Sequence, residues 1–157
     1  NKIMSQVVKN LSNAGIQVLW QTGDLDYAKY SGMESRNTRI LPFINKMAEA
    51  YAISDLLICR SGALTLAEIT VCGKPALLIP YPHAAGDHQT KNARSLAEAG
   101  AARILVEKTL NPKTFLYTVM NLIHNKNELN KMSKSSLKLG HPNATEKIVD
   151  HIYEALA

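Results

Sequence analysis

Short apolar runs alternate with longer amphipathic stretches from the start of the chain to Val106. The runs predict β-strands at residues 16–21, 38–43, 55–59, 75–80 and 102–106. The stretches predict helices at residues 2–13, 26–31, 45–53, 64–72 and 87–99. Because parallel strands need helical crossovers, this order predicts an α/β fold, a Rossmann-like parallel sheet with helices on both faces. The run 55–59 is apolar enough to predict a buried parallel strand.

After Val106 the pattern changes to helices alone, which predicts a helical C-terminal extension. Asn111 followed by Pro112 is typical of a helix start, with a side-chain cap and proline at the first helical position. The apolar face of this helix is predicted to consist of Phe115, Leu116, Val119, Met120 and Ile123. Asn143 and Glu146 predict the start of the last helix. Its buried stripe is predicted to consist of Ile148, Val149, Ile152 and Leu156.

Size and composition predict a single domain that covers residues 1–157. A chain of 157 residues with 46% hydrophobic content is long enough to bury one proper core. No apolar run approaches the roughly 18 residues that cross a bilayer, and no signal peptide is apparent, so we expect a cytoplasmic protein. Cys59 and Cys72 lack metal-ligand spacing and are expected to be reduced packing residues. Because the chain enters a helical pattern without an initiator Met, we expect a piece of a longer protein.

The net charge of +5 is concentrated in the segment from Pro112 to Gly140. There a single acidic residue, Glu128, accompanies the lysines Lys113, Lys126, Lys131, Lys134 and Lys138. On amphipathic helices this distribution predicts a basic face. Nucleic-acid binding is disfavoured, because such surfaces are rich in arginine and this segment has none. Two interpretations stay open: a solvated face, or peripheral binding to an anionic membrane surface.

Residues 59–68, CRSGALTLAE, run from an apolar strand through a turn of small residues into a helix. The free N–H groups and the positive end of the helix dipole would face whatever lies above Ser61, Gly62 and Ala63, and a phosphate suits them. Glu68 lies about one turn further in, placed to accept hydrogen bonds from vicinal hydroxyls such as those of a ribose. However, Thr65 and Glu68 also match a capping box, in which the side chains satisfy only backbone donors. The spacing alone leaves both interpretations open.

Three loops are expected to meet at the carboxyl edge of the sheet, where open α/β folds bind ligands. In the first loop Phe43 is placed to stack on a flat base and the Ile44 backbone to contact the base edge. Phe43 is equally open to a core or hydrophobic-staple role. The second loop is 61–65. The third is 81–89, in which Gln89 offers both donor and acceptor to sugar hydroxyls.

The third loop also contains His83, Asp87 and His88, but in no metal-binding or nucleophilic arrangement. Asp87 is better explained as the N-cap of the following helix. The chain has neither a glycine-rich dinucleotide fingerprint nor a phosphate loop ending in Gly-Lys-Ser/Thr. We therefore expect no bound metal and no cofactor, and exclude kinases and dehydrogenases.

The strings RSGALTLAEI and GKPALLIPYPHAAGDHQTKNARSLAEAGAAR, with LPFI at 41–44, resemble the MurG family of bacterial UDP-N-acetylglucosamine (UDP-GlcNAc) transferases. This family converts lipid I to lipid II in peptidoglycan synthesis. The resemblance runs from Ile3 to Ile152. It implies the C-terminal, donor-binding half of a glycosyltransferase B fold, in which two Rossmann-like domains face each other across a cleft. The N-terminal acceptor domain would be absent from this chain.

The resemblance also implies the donor contacts. Ile44 would read the uracil through its backbone, with Phe43 stacked nearby. The diphosphate and ribose would lie on the run Ser61, Gly62, Ala63, Leu64, Thr65, Leu66, Ala67 and Glu68. Within it, Glu68 would bind the ribose hydroxyls, and Thr65 would lie near the phosphate. His88 and Gln89 would hold the GlcNAc hydroxyls.

The mechanism implied by the family is inversion at the anomeric carbon without an essential metal. The 4-hydroxyl of MurNAc attacks, and UDP leaves as an anion stabilised by a helix N-terminus. The general base and most of the acceptor site would belong to the absent domain, so no catalytic residue is assigned to this chain. We expect this polypeptide alone to bind UDP-GlcNAc weakly and to transfer nothing. Its location would be cytoplasmic, peripheral on the inner face of the membrane.

Two other functions remain open. The first is a separate nucleotide-sugar-binding subunit of a two-chain GlcNAc transferase, which acts only with a partner chain. The chain is also compatible with another UDP-sugar-dependent glycolipid synthase, whereas a UDP-GlcNAc epimerase would need acid and base groups in an arrangement that is not evident here. In the fragment interpretation the family's first strand is missing, which predicts an open sheet edge and either association or reduced stability.

Overall fold

The structure is a computed structural model that describes residues 1–156. The strands are β1 (Val18–Gln21), β2 (Thr38–Leu41), β3 (Leu57–Cys59), β4 (Ala76–Leu78) and β5 (Ala102–Ile104). The α-helices are α1 (Lys2–Asn13), α2 (Asp24–Tyr30), α3 (Met47–Ile53), α4 (Ala63–Val71), α5 (His88–Glu98), α6 (Pro112–His124), α7 (Lys126–Leu139) and α8 (Ala144–Leu156). The predicted strands and helices are all present, and the strands are shorter than the apolar runs that predicted them.

All named strands pair in parallel, which confirms the predicted α/β fold. They form two sheets: a pair, β1–β2, and a three-stranded sheet in the order β3–β4–β5. Leu57 lies opposite Ala76, which lies opposite Ala102 on the far side of β4. Each connection between parallel neighbours contains a helix, as parallel pairing requires.

Strand β4 lies between two helical layers, and its residues point alternately into each. Leu77 belongs to a buried cluster with residues of α1, α6 and α7, among them Leu11 and Phe115. Ala76 and Leu78 belong to a second cluster, formed mainly with α4 and α5. The two clusters confirm the prediction of helices on both faces of the parallel sheet.

The outer edges of β1 and β3 face a common cavity of about 1880 Å³. Leu57 and Cys59 use their backbone groups on the β4 side, since Leu57 N–H donates to Pro75 O and Cys59 O accepts from Ile79 N–H. By the alternation of a strand, the N–H of Ile58 points away from β4, toward the cavity. This strand is half-buried along its length, so the prediction of a buried strand at 55–59 is wrong, because β3 has a neighbour on one side only.

Helix α6 follows its sequence prediction. Asn111 caps it, with Oδ1 accepting from Thr114 N–H at 2.9 Å, and Pro112 is the first helical residue. Of the predicted apolar face, Phe115 and Val119 are fully buried and the rest pack partly against the same cluster.

Helix α8 begins directly after Asn143, as predicted, but the predicted burial of its apolar stripe is wrong. The stripe expected to be buried is exposed: Ile148 at 61%, Val149 at 43%, Ile152 at 53% and Leu156 at 80%. The amphipathic pattern is present, but within residues 1–156 the core clusters contain no α8 residue. An apolar face is therefore formed without a surface to cover it.

Helix α7 packs along the C-terminal half of α4. Ser133 Oγ donates to Gly73 O at 2.7 Å, and Ser136 Oγ donates to Ile69 O at 3.3 Å. At the end of α7 the backbone approaches so closely that a Cβ on Gly140 would lie 2.8 Å from Thr70 O. These contacts fix α4 from the end opposite to its N-terminus.

The lysines from Lys113 to Lys138 are all exposed, as the predicted basic face requires. Across residues 1–156, no helix has the length and apolar character needed to cross a membrane. Cys59 and Cys72 are free thiols, and Cys72 is exposed rather than packed.

Candidate functional site

The carboxyl ends of both sheets border the large cavity. Its lining includes Gln21 at the end of β1, Ile44 after β2, and Arg60 after β3. Thr65 and Glu68 of α4 line the same space. The structure therefore brings together predicted site residues from the first and second loops.

Helix α4 begins at Ala63, with Gly62 as an extended N-cap residue. Its first internal hydrogen bond runs from Leu66 N–H to Gly62 O at 3.0 Å. The N–H groups of residues 63–65 precede that bond and point out of the helix start, where they carry the positive end of the helix dipole. The helix thus presents an array of donors suited to an anion.

The capping-box interpretation of Thr65 and Glu68 is wrong. Thr65 lies inside the first turn of α4, two residues after its start, and no side chain caps the helix. Glu68 Oε2 instead accepts a hydrogen bond from the hydroxyl of Tyr51 at 2.7 Å. Tyr51 belongs to α3, so this contact joins two helices on the cavity wall.

The phenol of Tyr51 is held in its neutral form. Burial and, after it, the hydrogen bond to the Glu68 carboxylate raise the pKa of Tyr51 well above its ordinary range. A neutral phenol next to a carboxylate acts as donor, so the direction of this hydrogen bond is fixed.

The other residues of the run 61–68 differ in what they present. Leu64 is 82% exposed, whereas Leu66 is 6% exposed and points into the core between α4 and α5. Ala63 and Ala67 lie on the exposed side of the helix. Leu66 therefore contributes packing and backbone, and its side chain is not available to a ligand.

Ser61 joins the second and third loops. Its side chain is fully buried, and its Oγ donates to Gln89 O at 2.7 Å. Asn92 Nδ2 donates to Ser61 O at 3.1 Å, so α5 is tied to this turn at two points. Gln89 Oε1 accepts from Tyr81 N–H at 3.0 Å, which leaves the amide NH₂ of Gln89 as its donor group.

His88 is the first residue of α5 and is exposed. Its Nδ1 lies 2.6 Å from Ala85 O, a contact in which Nδ1–H donates because a carbonyl oxygen only accepts, and Nε2 makes no hydrogen bond within residues 1–156. Asp87 directly precedes α5 as predicted, but it adopts φ 55° and its side chain makes no capping hydrogen bond. The turn is closed by backbone contacts, among them Asp87 N–H to Ala84 O at 3.0 Å.

The first loop presents Phe43 to solvent. Phe43 is 60% exposed, so it is not the core residue that the sequence left open. Ile44 N–H donates to Gln21 Oε1 at 2.8 Å. The backbone N–H of Ile44, which the sequence predicted to contact the edge of a base, is thus already hydrogen-bonded to the side-chain amide of Gln21.

Arg60 connects the loops that follow three strands. Its Nη1 donates to Ile79 O and Pro80 O, each at 3.1 Å, and to the Glu107 carboxylate. The guanidinium also lies over the Tyr81 ring, 5.4 Å from its centroid. The hydrogen bond from Arg60 lowers the pKa of Glu107 below its ordinary value of 4.5. Arg60 thus links the loops at the carboxyl edge of the three-stranded sheet.

Sequence reasoning missed Tyr51, Gln21, Arg60 and Asn92. Gln21 and Arg60 stand at or directly after the ends of strands, so the rule that ligands bind at carboxyl ends was sufficient to find them. Tyr51 and Asn92 lie within helices, and their partners are distant in sequence. No local pattern identifies such contacts.

The chain is similar in sequence to curated transferases. A curated relative from Chlorobium phaeobacteroides is 45% identical over 88% of this chain and 39% of its own length. Another from Cytophaga hutchinsonii is 38% identical over 99% of this chain and 42% of its own length. Both are named UDP-N-acetylglucosamine--N-acetylmuramyl-(pentapeptide) pyrophosphoryl-undecaprenol N-acetylglucosamine transferase. This chain spans less than half the length of these relatives.

Solved structures give the same result. The crystal structure of Acinetobacter baumannii MurG matches 98% of this chain and 46% of its own, with a TM-score of 0.84 and 33% identity. The glycosyltransferase VinC, solved with dTDP, matches with a TM-score of 0.66 at 20% identity, which supports the fold alone. The model of the glycosyltransferase family 28 C-terminal domain matches residues 1–149. The chain therefore belongs to the glycosyltransferase family 28 C-terminal domain family.

Proposed function

We propose that this chain is a single domain that binds UDP-GlcNAc for an inverting glycosyltransferase. That enzyme transfers GlcNAc to lipid I to form lipid II, with the acceptor held by an N-terminal domain outside this chain. The observation that carries the proposal is the start of α4, where outward N–H groups stand one turn from Glu68, and where Thr65 and Glu68 both line the cavity. The names of the relatives supply the chemistry of the donor.

In this proposal the diphosphate lies above Ser61, Gly62 and Ala63. The N–H groups of residues 63–65 donate to its oxygens, and Thr65 lies beside them. Negative charge grows on UDP as the glycosidic bond breaks, and the helix start stabilises it without a metal. Glu68 accepts hydrogen bonds from the ribose hydroxyls.

The uracil and the sugar lie at either side of this centre. Phe43, exposed on the first loop, provides the stacking surface, and a uracil carbonyl replaces Gln21 Oε1 at Ile44 N–H. The sugar hydroxyls meet the free amide NH₂ of Gln89 and Nε2 of His88. Ser61 fixes the distance between phosphate and sugar subsites, since it bonds directly to the backbone of Gln89.

Calorimetric titration of the chain with UDP-GlcNAc, UDP-glucose, UDP and ATP tests the proposal. We expect the uridine ligands to bind and ATP to be silent. Glu68→Ala should weaken UDP binding about tenfold to a hundredfold, the loss of a hydrogen bond to a charged group. Glu146→Ala, an exposed carboxylate of α8 away from the cavity, should leave binding unchanged. Equal binding of ATP and UDP, or normal UDP binding by Glu68→Ala, would contradict the proposal.

Catalysis by the chain alone is a separate test. Because the general base and the acceptor site are assigned to another domain, we expect no GlcNAc transfer to lipid I by this polypeptide. Incubation with radiolabelled UDP-GlcNAc and lipid I measures it. Measurable turnover would show that the acceptor site lies within these residues.

We further propose a peripheral location on the cytoplasmic face of the membrane. Lys131, Lys134 and Lys138 are exposed and share one side of α7, opposite the side that packs on α4. Each such lysine near an anionic surface contributes about 1 kcal/mol. Cosedimentation with anionic but not zwitterionic vesicles, abolished in Lys131→Glu/Lys138→Glu, is expected. Equal sedimentation with both vesicle types would favour a merely solvated face.

A further inference from the structure

The hydroxyl of Tyr51 and the carboxylate of Glu68 form a hydrogen bond on the cavity wall. Tyr51 is 9% exposed, so packing fixes the position of its ring. Its hydroxyl donates to Glu68 Oε2 at 2.7 Å, and both residues line the cavity. Glu68 itself is exposed, with no salt bridge to any of residues 1–156.

A carboxylate on an exposed helix position ordinarily rotates among several orientations. The hydroxyl of a buried phenol removes that freedom, because it holds one oxygen of Glu68 at a fixed place. The other oxygen, Oε1, and the remaining lone pair of Oε2 stay available as acceptors. These acceptors belong to two oxygens of one carboxylate, and their spacing suits the two hydroxyls on adjacent carbons of a cis-diol.

We propose that Tyr51 is a positioning residue that presets the Glu68 carboxylate to accept both hydroxyls of a ribose cis-diol, and so sets the preference for ribonucleotides over deoxyribonucleotides. This inference rests on the proposed function and deepens it. Tyr51 does not touch the ligand; it acts through Glu68. Preorganisation lowers the ordering cost that the ligand must otherwise meet on binding.

The test is the ratio of dissociation constants for 2′-deoxy-UDP and UDP, measured by calorimetry. The wild-type chain should favour UDP. Tyr51→Phe retains the ring and removes the hydroxyl, and should weaken UDP binding about threefold to tenfold. It should weaken 2′-deoxy-UDP, which offers Glu68 only one of the two hydroxyls, by a smaller factor, so the ratio should fall. In a Glu68→Ala background, Tyr51→Phe should have no further effect. Tyr117→Phe, at an exposed position of α6, is the matched control.

A purely structural role for Tyr51 predicts a different result. Loss of packing would weaken UDP and 2′-deoxy-UDP by the same factor, and that outcome overturns the inference, as does an unchanged ratio. If Tyr51→Phe folds poorly, 3-fluorotyrosine at position 51 keeps the fold and makes the phenol a stronger donor. The ratio should then rise above the wild-type value, and no rise overturns the inference.

The wild-type measurement separates this inference from the function on which it rests. A wild-type chain that binds neither nucleotide overturns the proposed function and the inference together. A wild-type chain that prefers UDP, with the same preference retained in Tyr51→Phe, overturns the inference alone.

Discussion

Strands β3 and β4 are neighbours of similar apolar composition, yet they lie in different environments. Strand β4 pairs on both sides, and Ala76, Leu77 and Leu78 are all 0% exposed. Strand β3 pairs on one side, and its three residues are half-buried. Helices α6 and α8 repeat the contrast, since one covers its apolar face and the other leaves it exposed. An apolar pattern thus shows what a segment is able to bury, whereas burial itself depends on a neighbour.

Substitutions in α6 and α8 should differ most in how far they lower the free energy of unfolding. Phe115→Ala in α6 empties a fully buried position and should lower the free energy of unfolding by about 3–5 kcal/mol. Ile152→Ala in α8 should change it by less than about 0.5 kcal/mol, because more than half of that residue is already exposed to water. Urea denaturation measures both. Comparable losses would mean that the α8 face is covered in solution, and sedimentation would show whether a second copy covers it.

Substitutions in β4 and β3 should show a smaller difference in the loss of unfolding free energy, again with the larger loss at the better buried position. Leu77→Ala should cost about 2–5 kcal/mol, and Ile58→Ala should cost less, because part of the Ile58 side chain remains accessible at the cavity. Hydrogen exchange gives an independent measure. The amide of Ile58 should exchange faster than that of Leu77, since it faces the open edge. Equal protection would show that the edge of β3 is paired in solution, as the expected association predicts.

The pH dependence of stability at Cys59 tests whether water is excluded from the face of β3 that packs against α4 and α5, although the edge of the strand is open. Burial raises the pKa of this thiol from 9.0 to about 12. As pH rises above about 9, the unfolded chain loses the proton first, so the contribution of Cys59 to stability is complete below that pH. Above it the contribution falls by up to about 1.4 kcal/mol per pH unit.

Denaturation of wild type and Cys59→Ala between about pH 8 and pH 10 isolates this effect, with Cys72→Ala as the exposed control. The wild-type chain should lose more stability than Cys59→Ala over that range. Identical slopes would mean that water reaches the Cys59 sulfur through the open edge.

The fold was predictable because its signals are local. Alternating apolar runs and helical periods placed all the strands, and Asn111 with Pro112 marked the start of α6 correctly. What failed were statements about neighbours. The sequence of β3 carries no information on whether a strand lies beside it, and the α8 pattern does not specify its partner surface.

The candidate site divides in the same way. The turn at Ser61 and Gly62 and the outward N–H groups of α4 follow from strand–turn–helix order. The partner of Glu68 did not, because Tyr51 meets it only through the packing of α3 against α4. The spacing of Thr65 and Glu68 fits a capping box, but the helix begins three residues earlier than that motif requires.

The grip of α7 on the far end of α4 has a mechanical consequence. A helix behaves as a stiff rod, so a displacement at Thr70 or Gly73 is carried to the N–H groups at its opposite end. Under the proposed function, the small residues that permit this contact, Ser136 and Gly140, help to position the diphosphate although neither lines the cavity. Substitutions there should shift the outward N–H groups of residues 63–65. They should therefore weaken ligand binding, although the substituted residues do not contact the ligand.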